Sequence, residues 1–280
     1  MLRALKKFVL GAIPSATAGK LRAWRVQRLI DTYRTRVVQH TYGRVPLKVC
    51  LTDPMSAGWY DHDWVELPEI AALRGTALRD GAIVFDVGAH QGVVALMLAA
   101  EVGATGSVVA VEPSTHNTDT ARRNAELNGV TQVIFVEAAI ADREGSITFN
   151  CGLNGQLDDG SGSAGRVEVR SVTLDALAET FGSPDLVFLD VEGAECLALR
   201  AAAGVLATAA TFCIEVHVGC GLELLGGSVR ELLAFFPVER YSLRIRADAD
   251  DNFQELTSAD HLLSHRFFLL ATRRVSETRH

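Results

Sequence analysis

Nowhere in these 280 residues does an apolar run approach the roughly 18–20 residues that a bilayer-spanning helix needs, so no transmembrane segment is expected. The nearest thing to a secretory leader is Phe8 to Ile13, following Lys6 and Lys7. At six residues it falls below the usual apolar stretch of about 7–15, so secretion is not expected either. Cysteine is scarce. Cys50, Cys151, Cys196, Cys213 and Cys220 have neither paired nor metal-ligand spacing, and Cys196 and Cys213 fall inside apolar runs. That excludes a disulfide scaffold and fits reduced packing cysteines in a cytoplasmic protein. No internal repeat is present. A net charge of -7 argues against nucleic acid as the principal partner. What is present is ordinary for a globular chain: 48% hydrophobic and 22% charged residues, enough for a sizeable core.

The charge is unevenly placed. Residues 1–44 carry ten Lys or Arg against the single acid Asp31, whereas the remaining 236 residues carry 17 basic and 33 acidic side chains. Within the leader, Leu2, Leu5, Phe8, Val9 and Ile13 share one helical arc opposite Arg3, Lys6 and Lys7, and Pro14 ends it. Leu21, Val26, Leu29, Ile30, Tyr33 and Val37 repeat the theme over 19–40. The expectation is a basic amphipathic helical extension over 1–44. It either packs on the domain or on a second copy, or lies peripherally on an anionic membrane surface at the cytoplasmic face. The catalytic domain is then 45–280.

Val45 to Leu51 reads as a strand, and the acidic, aromatic stretch Asp61-His-Asp-Trp64 with Glu66 and Glu69 precedes a short helix. From residue 82 the pattern is regular. Apolar, β-branched runs at 82–87, 107–112, 132–137, 185–191 and 210–216 alternate with helical candidates at 91–101, 114–128, 173–181 and 193–206. A helix at 226–235 and runs at 238–245 and 265–272 follow. Such alternation predicts an α/β Rossmann-like fold, a mostly parallel seven-stranded sheet covered on both faces. With only a loop between the last two runs, the last strand should be antiparallel. Ser146–Asn150 and Arg166–Ser171 add two strands around a Gly/Ser/Asp-rich loop at 151–165. That loop and the stretch 55–70 are the candidate substrate lid.

Asp86-Val-Gly-Ala-His-Gln-Gly92 closes the first of these strands. Gly88, Ala89, His90 and Gly92 form a sharp turn into a helix whose first amides suit an anionic group. Asp86 would hold the amino-acid end of a cofactor. About twenty residues on, Glu112-Pro113 places an acid where both ribose hydroxyls can be gripped. NAD and S-adenosylmethionine both satisfy that arrangement, but the second glycine of the dinucleotide fingerprint is missing, since His90 stands there. The spacing therefore favours S-adenosylmethionine. At the third strand end, Glu137 is a candidate acceptor for the adenine amino group, with Ala138 and Ala139 leaving room for the ring.

Asp190, Glu192, Glu215 and His217 close two very apolar strands, and ionisable groups there are costly to bury without purpose. Two chemistries fit: Glu192 or His217 as general base for an acceptor hydroxyl, or the four side chains as ligands for a divalent cation. The bland alternative makes Glu192 a helix cap and His217 a packed core residue.

Taken together, Asp190-Val-Glu-Gly-Ala-Glu195, Ile214-Glu-Val-His217, the Asp86–Gly92 turn, Glu112-Pro113 and the helix residues Asn124 and Asn128 resemble the FkbM family of S-adenosylmethionine-dependent methyltransferases over roughly 82–220. The resemblance implies a class I methyltransferase fold and methyl transfer, most often to a hydroxyl oxygen of a sugar, glycolipid or secondary metabolite. It implies cofactor contacts from Asp86, Gly88, Gly92 and Glu112 and a reaction centre of Asp190, Glu192, Glu215 and His217. Two departures stand out: His90 where many relatives carry Asn, and Phe188 where many carry Lys. Competing readings are an NAD-dependent oxidoreductase, weakened by the absent fingerprint, and a non-catalytic module that docks a membrane or partner. The acids at 190, 192 and 215 weigh against the second.

Overall fold

The computed structural model describes residues 15–157, 165–247, 250–256 and 264–274. The helix expected over 2–13 and the centre of the glycine-rich loop lie outside these ranges. Helix α1 (Ser15–Thr32) leads into a hairpin of β1 (Arg36–Tyr42) and β2 (Val45–Leu51), then short helices α2 (Pro54–Tyr60) and α3 (Pro68–Leu73). The core follows as β3 (Ile83–Val87), α4 (Val93–Val102), β4 (Ser107–Val111), α5 (Thr115–Asn128) and β5 (Val133–Val136). Next come β6 (Ala139–Ile140), β7 (Gly145–Cys151), β8 (Gln156–Leu157), β9 (Gly165–Val172) and α6 (Leu174–Phe181). Then β10 (Leu186–Leu189), α7 (Glu195–Arg200), α8 (Ala203–Ala207), β11 (Thr211–Val216), α9 (Val229–Ala234), β12 (Tyr241–Ala247), β13 (Gln254–Glu255) and β14 (Phe267–Arg273) complete the chain.

The main sheet has the order β13-β12-β14-β11-β10-β3-β4-β5. The seven expected strands are all in it, with two-residue β13 added at an edge. As expected, β14 is antiparallel, to both β11 and β12. The core strands are apolar on both faces because helices cover both: α4 is buried almost throughout, and every residue of β10 is buried. A second sheet, β6-β9-β7-β8, accounts for the strands around the glycine-rich loop.

Three expectations are corrected. Residues 19–40 are not one helix; α1 stops at Thr32, and Val37 lies in a strand. The cause is the alternation from 36 to 42, where Val38, His40 and Tyr42 are the less exposed positions, a two-residue rhythm that pairs with β2 in register Tyr42↔Val45. The expected boundary at 44/45 therefore falls in the hairpin turn, and Tyr42 is fully buried in the core, so the folded domain begins no later than β1. Lastly, the single helix read over 193–206 is two short ones, broken at Ala201 and Ala202.

Candidate active site

Strand order reverses between β3 and β10, and at such a switch point the connections diverge and leave a crevice at the carboxyl ends. Register brings residues far apart in sequence into one row. Val87 is level with Val111 and Leu189, Val111 with Val136, and Leu189 with Ile214. The next residues along, Gly88, Glu112, Glu137, Asp190 and Glu215, thus share one edge of the sheet. A cavity open to solvent occupies this edge. Its walls include Trp59, Gly88, His90, Glu112, Pro113, Ala138, Ile140, Phe149, Asn154, Leu157, Asp190 and Glu192. The small sheet supplies the wall facing the glycine turn, because β6 leaves β5 directly at this end.

At the cofactor end, Glu112 is buried and accepts from His90 N (3.1 Å), Ser114 N (2.9 Å) and Asn117 Nδ2 (3.2 Å). Burial raises its pKa, and these donors oppose the rise. Asp86 lies one residue inside β3, also buried, with Oδ2 lacking any hydrogen-bond partner. Burial and then the charge of Glu112 push its carboxyl up to about 7. The turn's glycines are required by the protein itself rather than only by a ligand. Gly88 (φ +95) has the Asp190 carbonyl where a Cβ would stand, and Gly92 (φ +79) packs on Ala121 of α5. His90 has φ +48 yet is not glycine. Its Nδ1 takes a bond from the Tyr60 hydroxyl (2.8 Å), and its Nε2 faces the Leu153 carbonyl (3.3 Å). Burial lowers its pKa to about 4, so it is neutral.

Among the described residues lining the cavity there is no Lys or Arg, while Glu112, Asp190 and Glu192 are acids. A pyrophosphate would meet no cationic side chain there and would face those three acids. S-adenosylmethionine, with a sulfonium and an ammonium group, suits the acids, and the apolar shelf of Val111, Pro113, Ala138 and Ile140 suits a flat ring. Asp86, buried behind the turn, is no part of the cavity wall, and neither is Glu137. The Glu137 carboxylate accepts from Thr115 Oγ1 (2.7 Å) and is substantially exposed.

At the reaction end, His217 is buried, and its Nδ1 meets Glu195 Oε1 at 2.7 Å. The same oxygen accepts from Gly193 N (2.9 Å). His217 Nε2 stands 3.5 Å from Asp190 Oδ1, 3.6 Å from Glu192 Oε2 and 3.8 Å from Glu215 Oε1, none of them a hydrogen bond. Burial by itself lowers the imidazole's pKa; the hydrogen bond to Glu195 and the charges of Glu195, Asp190 and Glu192 outweigh it and raise it to about 9. Asp190 opens onto the cavity, and its carboxyl is held well above the usual range by burial first and then by Glu215. Glu215 pairs with Arg266 (3.0 Å), and Asn154 Nδ2 donates to Glu192 Oε1 (2.5 Å). Glu192 has φ 51. It and His90 are the two non-glycine residues with positive φ among the described residues, and both line the cavity.

The structure thus gathers Asp190, Glu192, Glu215 and His217, and rejects the helix-cap account of Glu192, since no side chain caps α7. Sequence reasoning missed Trp59, Tyr60, Asn117, Asn154 and Glu195. Glu195 was legible as part of the acidic motif; its role was not, because it depends on meeting a histidine 22 residues away. Asn124 and Asn128 are explained: they bond Cys50 N (2.7 Å) and Lys48 N (2.9 Å) on the free edge of β2.

A doubly covered sheet of this order, with acids at the ends of β4 and β10 and a glycine turn after β3, defines a class I methyltransferase domain. The model for the Methyltransferase FkbM domain matches residues 86–242, more than half of the chain, and the chain belongs to that family of S-adenosylmethionine-dependent methyltransferases. A search of curated proteins finds no match. Solved structures similar to the chain include an S-adenosylmethionine-dependent O-methyltransferase from Thermotoga maritima, at 12% identity and TM-score 0.45, covering 89% of this chain and 81% of that one. Another is a precorrin-6y C5,15-methyltransferase from Geobacter metallireducens, at 14% identity and TM-score 0.44, covering 74% and 86%. A third is a ribosomal protein L11 methylase from Lactobacillus delbrueckii, at 13% identity and TM-score 0.43, covering 74% and 78%.

Proposed function

We propose that this methyltransferase acts on a hydroxyl oxygen of a small-molecule or glycan acceptor: a sugar, a glycolipid or a secondary metabolite. The observation that supports this reading is the acid–imidazole cluster of Asp190, Glu192, Glu215 and His217, whose members Asp190 and Glu192 line the same cavity as Gly88 and Glu112. A hydroxyl must shed a proton as it is methylated, and the cluster offers acceptors for it. Glu192, at the cavity wall, is placed to take that proton on its carboxylate. S-Adenosylmethionine, when bound, supplies an electrophilic methyl on sulfonium. Asp86, Glu112 and the turn at 88–92 would hold it, leaving the protein mainly to align oxygen, methyl and sulfur. Calorimetric titration tests the site: the full chain should bind S-adenosylmethionine and not NAD, and Asp86→Ala and Glu112→Ala should abolish binding. Undiminished binding in both variants sinks the assignment.

We infer a peripheral membrane contact for the leader, at the cytoplasmic face. Supporting it, Trp24 and Leu29 are large apolar side chains exposed on α1 beside exposed Arg25 and Arg28. No helix among the described residues is long and apolar enough to cross a membrane. Pairing of two copies through 1–44 is the competing use of the same face, and nucleic acid is not expected as a partner.

A further inference from the structure

We propose that His217, Asp190 and Glu192 bind a divalent first-row metal cation, and that Glu195 is the positioning residue that holds the imidazole toward it. Three ligand atoms, one from each side chain, lie within 4.8 Å of one another. Donors about 2.0–2.2 Å from one ion stand roughly 3–4.4 Å apart, so the trio closes on a cation with small rotations.

Acids in a cleft are common without an ion, and the proposal stands on the histidine. The His217 ring is almost wholly buried, yet its Nε2 is aimed into the carboxylates without a hydrogen bond to any. A core histidine kept for packing would have both nitrogens bonded. An ion pair would close on one acid, whereas here Asp190, Glu192 and Glu215 stand at near-equal distances of 3.5, 3.6 and 3.8 Å. Behind the ring, Glu195 is fully buried and fixes Nδ1, and its own oxygen is fixed by Gly193 N. A buried carboxylate gripping the far nitrogen is how proteins set the tautomer and direction of a metal-ligating imidazole. One imidazole with two carboxylates is a mixed donor set that suits manganese, iron or zinc better than calcium, which takes oxygen alone.

Asp190 and Glu192 line the cavity, so the cation's remaining positions would face the acceptor. There it would orient a hydroxyl and lower its pKa, the proton leaving to an uncoordinated carboxylate oxygen of the cluster. This role rests on the hydroxyl-methylation reading; the binding does not.

The test is titration of the full chain with Mn²⁺ alone, followed by calorimetry and pulsed electron paramagnetic resonance, with S-adenosylmethionine titrated in parallel. One Mn²⁺ should bind per chain, showing nitrogen modulation from an imidazole. Asp190→Asn and Glu192→Gln should each weaken binding at least about tenfold, and Glu195→Gln should weaken it by about 10–100-fold while keeping the nitrogen modulation. His217→Gln should abolish that modulation. If this variant fails to fold, the two cavity-facing variants decide. No stoichiometric Mn²⁺ in the wild type, unchanged affinity in both cavity variants, or a bound ion without nitrogen modulation overturns the site. S-adenosylmethionine binding without Mn²⁺ removes the cation alone; Mn²⁺ binding without S-adenosylmethionine keeps the cation and sinks the methyl-transfer reading.

Discussion

Asp86 is a carboxyl that the fold keeps close to its neutral form, and this has measurable consequences. Its folded pKa of about 7 lies above an unfolded value of about 3.9, so the folded state binds the proton more tightly. The resulting stability is present below about pH 4 and is lost as pH rises through 7. Denaturant melts between pH 4 and 7.5 should show this decline in the wild type and a flatter profile in Asp86→Asn. A cationic ligand group beside Asp86 would draw the proton off. Calorimetry near pH 6.5 in buffers of different ionisation enthalpy should then show proton release on S-adenosylmethionine binding, and Asp86→Asn should show none. At His90, backbone geometry outranks the ring. Asn tolerates a positive φ and a β-branched residue does not, so His90→Asn should keep the fold and His90→Val should lower the melting temperature by several degrees.

At the scale of elements, α5 holds the N-terminal hairpin to the core. Its two asparagines, one turn apart, accept hydrogen bonds from the amides of alternate residues on the free edge of β2. Asn124 spans Cys50 N and Gln91 O (2.9 Å), and Asn128 spans Lys48 N and Lys48 O (2.8 Å). Asn124→Ala leaves a buried backbone amide without its acceptor and should cost about 2–3 kcal/mol in a chemical melt, whereas Asn128→Ala, half in solvent, should cost about 1 kcal/mol. The long β-branched runs of the sheet were legible in the sequence because burial on both faces demands apolar residues throughout. The strand β1 was not, since its alternation of polar and apolar positions is short and continues a helical-looking phase from α1.

Across the whole molecule, the cavity joins the main sheet, the small sheet and the α2 segment, so ligand binding should stiffen all three together. S-Adenosylmethionine at a hundredfold excess over Kd should stabilise the fold by about 2.7 kcal/mol, read as a thermal shift that Glu112→Ala abolishes. Vesicle co-sedimentation addresses the leader. The full chain should pellet with anionic vesicles and less so with neutral ones, and Arg25→Glu with Arg28→Glu should reduce the difference; equal partitioning removes the membrane contact.

The amino-acid sequence by itself determined the sheet, the glycine turn and the acids at the strand ends, because local apolar periodicity and short motifs carry that information. It also named Asp190, Glu192, Glu215 and His217 as one group, since strand ends at a switch point must converge. Only the tertiary structure decided what these side chains meet. The parallel register aligns Gly88, Glu112, Asp190 and Glu215 across more than a hundred residues of chain. Folding sets Glu195 behind His217, turns Glu137 toward Thr115 rather than the cavity, and places Trp59 and Tyr60 beside His90. None of these contacts leaves a periodic trace, because each joins side chains whose distance is fixed by packing and not by sequence separation.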